Sequence, residues 1–197
     1  MMRVIQITDS HVVAPPKKVS ARIDSALMLQ ETVSRIKTDI PKIGPVDAIL
    51  ITGDISDDGS AESYDLFRDI MEPLNLPYFV IPGNHDQRES MRSAFADQSY
   101  VPSSGRLNWS INLKGVHLLG LDTLVEGQGG GILETDTLEF LAQALVVAGR
   151  EPVLLAMHHP PFAPGIQFLD SIGLAGIRSE EHTSELVTSL SRMPSSA

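Results

Sequence analysis

Four short motifs place acids, histidines and one asparagine where apolar runs end: Asp9-Ser10-His11, Gly53-Asp54, Gly83-Asn84-His85-Asp86 and His158-His159-Pro160-Pro161. Carboxylate and amide oxygens together with imidazole nitrogens are the donor set for Mn²⁺, Fe or Zn²⁺ when no thiolate is at hand. The 197-residue chain contains no cysteine. That excludes a disulfide scaffold and every Cys-ligated zinc or iron–sulfur site. Donors gathered from separate loops point to a dinuclear centre. Taken alone, Asp9 or Asp54 would serve equally well as a helix cap or turn former; the four motifs together favour metal.

The elements that must hold these residues are legible as well. Arg3–Thr8, Ala48–Thr52, Tyr78–Ile81, Val116–Leu121 and Val153–Met157 are short, nearly continuous apolar runs, the pattern of strands covered on both faces, and Trp109–Leu113 reads as a sixth. Apolar residues recur at helical spacing over Ile23–Ile36, Tyr64–Met71 and Leu138–Leu145. Strands alternating with helices make an α/β protein, in which ligands collect at the carboxyl ends of the strands. Four of the five strong runs end there in metal-ligand types, and the fourth in chain order ends in Asp122.

Other residues invite plainer readings. His159 points away from its neighbour His158, because adjacent residues of extended chain face opposite ways. His117 is expected to be a hydrogen-bonded histidine of a sheet face, and Met157 a core residue. Gly127–Gly131 reads as a flexible turn, lacking the lysine and helix of a phosphate loop. Asp57 and Asp58 read as a solvated turn leading into a helix near Ala61.

The balance of 15 Lys+Arg against 25 Asp+Glu gives a net charge of −10, which argues against binding a nucleic-acid polymer. No apolar run approaches the ~20 residues of a membrane span. The expectation is a cytoplasmic protein that does not bind membranes.

In order along the chain, DxH, GD, GNHD and HHPP resemble the motifs of the calcineurin-like metallophosphoesterases. The phrases PVDAILITGDISDDGSAESY, IPGNHD and MHHPPFAPGIQFLD are most similar to bacterial class III cyclic-nucleotide phosphodiesterases and related glycerophosphodiesterases. The resemblance implies a four-layer αββα sandwich of two mixed β-sheets. It also implies two metal ions, Mn, Fe or Zn, one held by Asp9 and His11 and the other by Asn84 and His158, with Asp54 bridging them through one oxygen on each. Asn84 and His85 would meet the substrate phosphate, His85 would stabilise charge or protonate the leaving group, and Asp86 would orient His85. The implied reaction is hydrolysis of cyclic nucleotides or other small phosphodiesters by a bridging hydroxide. A phosphatase or nuclease on the same fold is the rival enzyme, and a homodimer is a possibility for the full-length protein.

One family motif, GHxH, has no counterpart: the only later histidine is His182, in EEHTSE. From Arg178 the composition shifts to RSEEHTSELVTSLSRMPSSA, and RSEEHTSEL resembles a translated sequencing adapter. The expectation is a catalytic domain over 1–177, truncated before GHxH and so incomplete at its C-terminal side, then a non-native or disordered tail over 178–197. A fragment that binds metal weakly and turns nothing over is the alternative to an enzyme.

Overall fold

The computed structural model describes residues 2–163 and 165–175; the expected tail, 178–197, and His182 lie outside them. Strands β1 (Val4–Ile7), β2 (Ala48–Thr52) and β3 (Tyr78–Ile81) form one sheet in that order. A second sheet has the order β4 (Trp109–Leu113), β5 (Val116–Gly120), β7 (Val153–Ala156), and a two-stranded pair joins β6 (Gly131–Ile132) to β8 (Leu174–Ala175). The helices are α1 (Ser25–Ile43), α2 (Ala61–Met71), α3 (Arg88–Ala94), α4 (Thr135–Ala148) and α5 (Gln167–Ser171).

All six expected strands and all three expected helices are present. The layering is that of an αββα sandwich, and three apolar clusters define it. In β2, Ile49 and Ile51 face Leu29, Val33 and Phe67 on the α1 and α2 side. The alternate residues Ala48 and Leu50, with Phe79 and Ile81, face Trp109, Leu118 and Ala156 of the second sheet. On its far side that sheet packs Leu119 and Leu121 against Leu141 and Ala144 of α4. Every residue of β2 is therefore buried, and this is why its sequence reads as an uninterrupted apolar run rather than an alternating one.

Two features differ from expectation. Among the described residues the first sheet is parallel, because α1 and α2 cross over between its successive strands, while the second mixes an antiparallel pair, β4–β5, with a parallel pair, β5–β7. The glycine-rich stretch is a turn that ends in a strand, since Gly131 pairs with Leu174.

Local chemistry sets the helix ends. The Asp24 carboxylate accepts from Leu27 N–H to start α1, which stops at Gly44 with φ 87°. Ser60 caps α2 by accepting from Ser63 N–H. The free edge of β3 is closed by side chains: Trp109 Nε1–H donates to the Val80 carbonyl at 2.7 Å, and the Val80 N–H donates to Tyr100 Oη at 3.1 Å. No helix among the described residues is long and apolar enough to cross a membrane.

Candidate metal centre

The loops after β1, β2, β3 and β7 meet in one cleft, lined by Asp9, His11, Asp54, Asn84, His85 and His158 among others. Glycine makes the convergence possible. A Cβ on Gly53 would lie 2.4 Å from His158 Nδ1, and one on Gly83 would lie 2.2 Å from Asp54 Oδ1, so only glycine lets these loops approach so closely. Asp9, His11 and Asp54 have φ of 54°, 43° and 50°, a left-handed conformation that L side chains rarely adopt. Backbone hydrogen bonds hold them there: Asp9 N–H donates to the Gly53 carbonyl at 3.1 Å and His11 N–H to the Asp54 carbonyl at 2.9 Å. Strain concentrated on three candidate ligands is what a functional site maintained by its surroundings shows.

Hydrogen bonding fixes the histidine tautomers. His158 Nδ1 lies 2.9 Å from the Thr52 carbonyl, which only accepts, so Nδ1 carries the proton and Nε2 a lone pair. His11 Nδ1 lies 3.1 Å from Asp57 Oδ1, with the same consequence. Both Nε2 atoms face Asp54 Oδ2, at 3.5 Å from His11 and 3.6 Å from His158, too long for hydrogen bonds. Asn84 Oδ1 lies 3.3 Å from His158 Nε2, and Asp9 Oδ1 4.0 Å from His11 Nε2. Five potential ligand atoms thus converge around a buried carboxylate that no Lys or Arg reaches among the described residues. Cations satisfy this arrangement. The nitrogen and oxygen donor set fits Mn²⁺, Fe and Zn²⁺ alike.

The two oxygens of Asp54 have different neighbours. Its Oδ1 accepts the His85 N–H at 2.9 Å, so Oδ2 alone lies between the two imidazoles.

Asp86 does not orient the His85 ring. It is buried, and its oxygens accept from Gly83 N–H at 2.8 Å, Ile55 N–H at 3.2 Å, Ser56 N–H at 3.1 Å and Tyr64 O–H at 3.0 Å. It therefore ties the loop after β3 to the loop after β2. Burial pushes its carboxyl up to about 6 even against these donors. The residue that holds His85 is Asp57, whose carbonyl lies 3.2 Å and Oδ1 3.4 Å from His85 Nδ1. Asp57 therefore holds His11 and His85 together, and the two rings meet edge to face with centroids 4.6 Å apart. It is a half-buried member of the site rather than part of a solvated turn; its position three residues after Asp54 carried no periodic signal. Asp58 is half-buried too and accepts from Lys17, Ser60 and Ser63, building the cap of α2.

His159 is buried with Nδ1 2.7 Å from Thr123 Oγ1 and Nε2 without a partner among the described residues. Burial, and then His158 beside it, push its pKa down to about 4, so the ring is neutral. His117 bonds Asn112 and Glu151 on its sheet face as expected. Met157 packs against the α4 cluster and also reaches the cleft. Asp122, at the end of β5, is fully buried and receives Arg88 Nε at 2.7 Å and the N–H groups of Leu107 and Leu124, which binds α3 to the second sheet.

Residues 2–185 match the calcineurin-like phosphoesterase family. The chain belongs to that family. Calcineurin-like phosphoesterases work with a dinuclear divalent metal centre, and candidate ligand groups for one are present here. The chain is 35% identical over 171 residues to a 3′,5′-cyclic adenosine monophosphate phosphodiesterase of Pseudomonas aeruginosa, covering 87% of this chain and 60% of that one. It is 32% identical over 169 residues to a probable glycerophosphodiester phosphodiesterase of Arcobacter nitrofigilis, covering 86% and 61%. It thus spans about three fifths of the length of these relatives. A purple acid phosphatase from yellow lupin shares the fold, with a TM-score of 0.62 at 17% identity over 93% of this chain and 35% of that one.

Proposed function

We propose that this calcineurin-like phosphoesterase domain hydrolyses small phosphodiesters, cyclic nucleotides among them, in the cytoplasm. Asp9, His11 and Asp54 would hold one metal ion and Asp54, Asn84 and His158 the other, with Mn, Fe and Zn all compatible. The observation that carries the reading is the convergence of two histidine lone pairs on the single oxygen Asp54 Oδ2. A bound ion pair supplies Lewis acidity toward a phosphate and lowers the pKa of a water. The protein's own groups then have defined tasks. Thr52 and Asp57 fix the tautomers of His158 and His11, so that Nε2 of each stays a donor to metal. His85, anchored through Nδ1 on the Asp57 carbonyl, presents Nε2 to the substrate phosphate, and as the imidazolium, protonated on both nitrogens, it would give the Nε2 proton to the leaving alkoxide and return to the neutral ring. Asn84 places its amide oxygen beside His158 at the same cleft.

The test is Mn²⁺ binding by calorimetry alongside Mn²⁺-dependent hydrolysis of bis(p-nitrophenyl) phosphate. Binding and turnover that both fall with Asn84→Ala support the reading. Binding without turnover makes the domain a metal-binding fragment, and hydrolysis that survives chelation overturns the mechanism.

A further inference from the structure

The cleft of about 510 Å³ holds far more than a phosphate group, and its two sides differ in chemistry. Besides the candidate ligands it is lined by Met157, Pro160, Phe168 and Ile172, and among the described residues no Lys or Arg lines it. Phe168, on α5, is 69% exposed and Ile172 is half-buried. Gly129, from the turn before β6, buttresses this side, since a Cβ there would stand 3.4 Å from Ile172 Cγ2. The β6–β8 pair anchors the same segment, Gly131 against Leu174. The Phe168 and Ile172 part of this wall is therefore anchored through the β6–β8 pair, apart from the loops after β1, β2 and β3.

We infer that Phe168 and Ile172 form a subsite for a planar aromatic group carried by the substrate's phosphate, as in a nucleotide. The inference rests on the phosphodiesterase reading. A polyol substituent would bring hydroxyls against a wall of apolar side chains and lose hydrogen bonds to water without replacement. An aromatic base loses little and gains by stacking on an exposed ring. With no cationic side chain among the described residues of the cleft, phosphate recognition falls to the metal centre and discrimination among substituents to this wall.

The experiment is saturation-transfer NMR and calorimetry on the Zn²⁺-loaded chain, with adenosine 5′-monophosphate and glycerol 3-phosphate as probes and adenosine on the metal-free chain. Base protons of the nucleotide should receive the strongest transfer. Phe168→Ala should weaken nucleotide binding about tenfold, Ile172→Ala should weaken it less, and Phe168→Trp should retain it, with glycerol 3-phosphate changed less than twofold. Adenosine transfer on the metal-free chain should fall with the same Phe168→Ala substitution. Equal loss for both phosphates, or loss for neither, overturns the subsite. If glycerol 3-phosphate binds in an Asn84-dependent way while the nucleotide gains nothing, the subsite fails and the metal reading stands. If adenosine contacts Phe168 but Zn²⁺ does not bind, the metal reading fails and the aromatic subsite stands.

Discussion

The loops after β1, β2 and β3 and the segment after β7 face the same cleft but are built in different ways. On the first side, backbone groups are tied to one another and to a buried carboxylate: Asp86 alone receives three backbone N–H groups and a tyrosine hydroxyl. Gly53 and Gly83 let the loops touch, and three residues are held in left-handed backbone. On the second side, among the described residues, His158 is the one candidate ligand, its neighbour His159 keeps an unpartnered nitrogen, and Phe162, Ile166 and Phe168 are each more than half exposed. The first side is preorganised for fixed donors. The second has the latitude to meet a substrate's variable part. Pre-set ligand geometry and adaptable contact thus come from opposite sheets.

If that contrast is right, damage to the first side should be the more severe. Asp86→Ala leaves buried N–H groups unpaired, and each such group costs about 1–3 kcal/mol, so we expect a loss of about 3 kcal/mol or more in urea unfolding. A change below about 1 kcal/mol would break the contrast. Asp54→Asn removes the charge between the two histidines and should weaken Mn²⁺ binding by more than about 100-fold in calorimetry, beyond what outer-shell changes usually do. Asp57→Ala removes the side-chain anchor of His11 and leaves His85 only the backbone carbonyl of residue 57; we expect a loss of about 10-fold in metal affinity or phosphodiester turnover with the fold intact by circular dichroism.

A glycine pair sharpens the comparison directly. Gly83→Ala drives a Cβ into Asp54, with its backbone nitrogen only 2.3 Å away, and should lower the melting temperature markedly. Gly129→Ala meets Ile172 at ordinary contact distance and should shift it little. Equal shifts would mean that the two sides are equally tight.

The smallest effect concerns pH. Burial of Asp58 would raise its carboxyl, but hydrogen bonds from Lys17, Ser60 and Ser63 outweigh it and hold the group well below the usual carboxylate range. A carboxyl lowered in the folded state adds stability that is present above the unfolded value near ~3.9 and is lost as pH falls toward the folded value. Asp58→Asn should therefore destabilise the protein at pH 7, and the gap from wild type should close as pH falls below about 4. A gap independent of pH would assign the effect to packing.

The sequence by itself determined the strands, the three longer helices and the order in which ligand types follow them. Buried parallel strands must be apolar on both faces, and the polar residues that interrupt them stand out. It also sufficed for the family, through the spacing of DxH, GD, GNHD and HHPP. Short elements without periodicity escaped it: α3, which begins at Arg88 and is held by a buried ion pair to Asp122, and the two-residue pair β6–β8. The roles of Asp57 and Asp86 were exchanged for the same reason. Which acid residue holds the His85 ring depends on the path of two loops that lie about 30 residues apart in sequence, and the family resemblance assigns that role to Asp86. Only the tertiary structure decided which lone pairs meet at Asp54 Oδ2, because that meeting is fixed by loop packing and backbone conformation, to which residue types are blind.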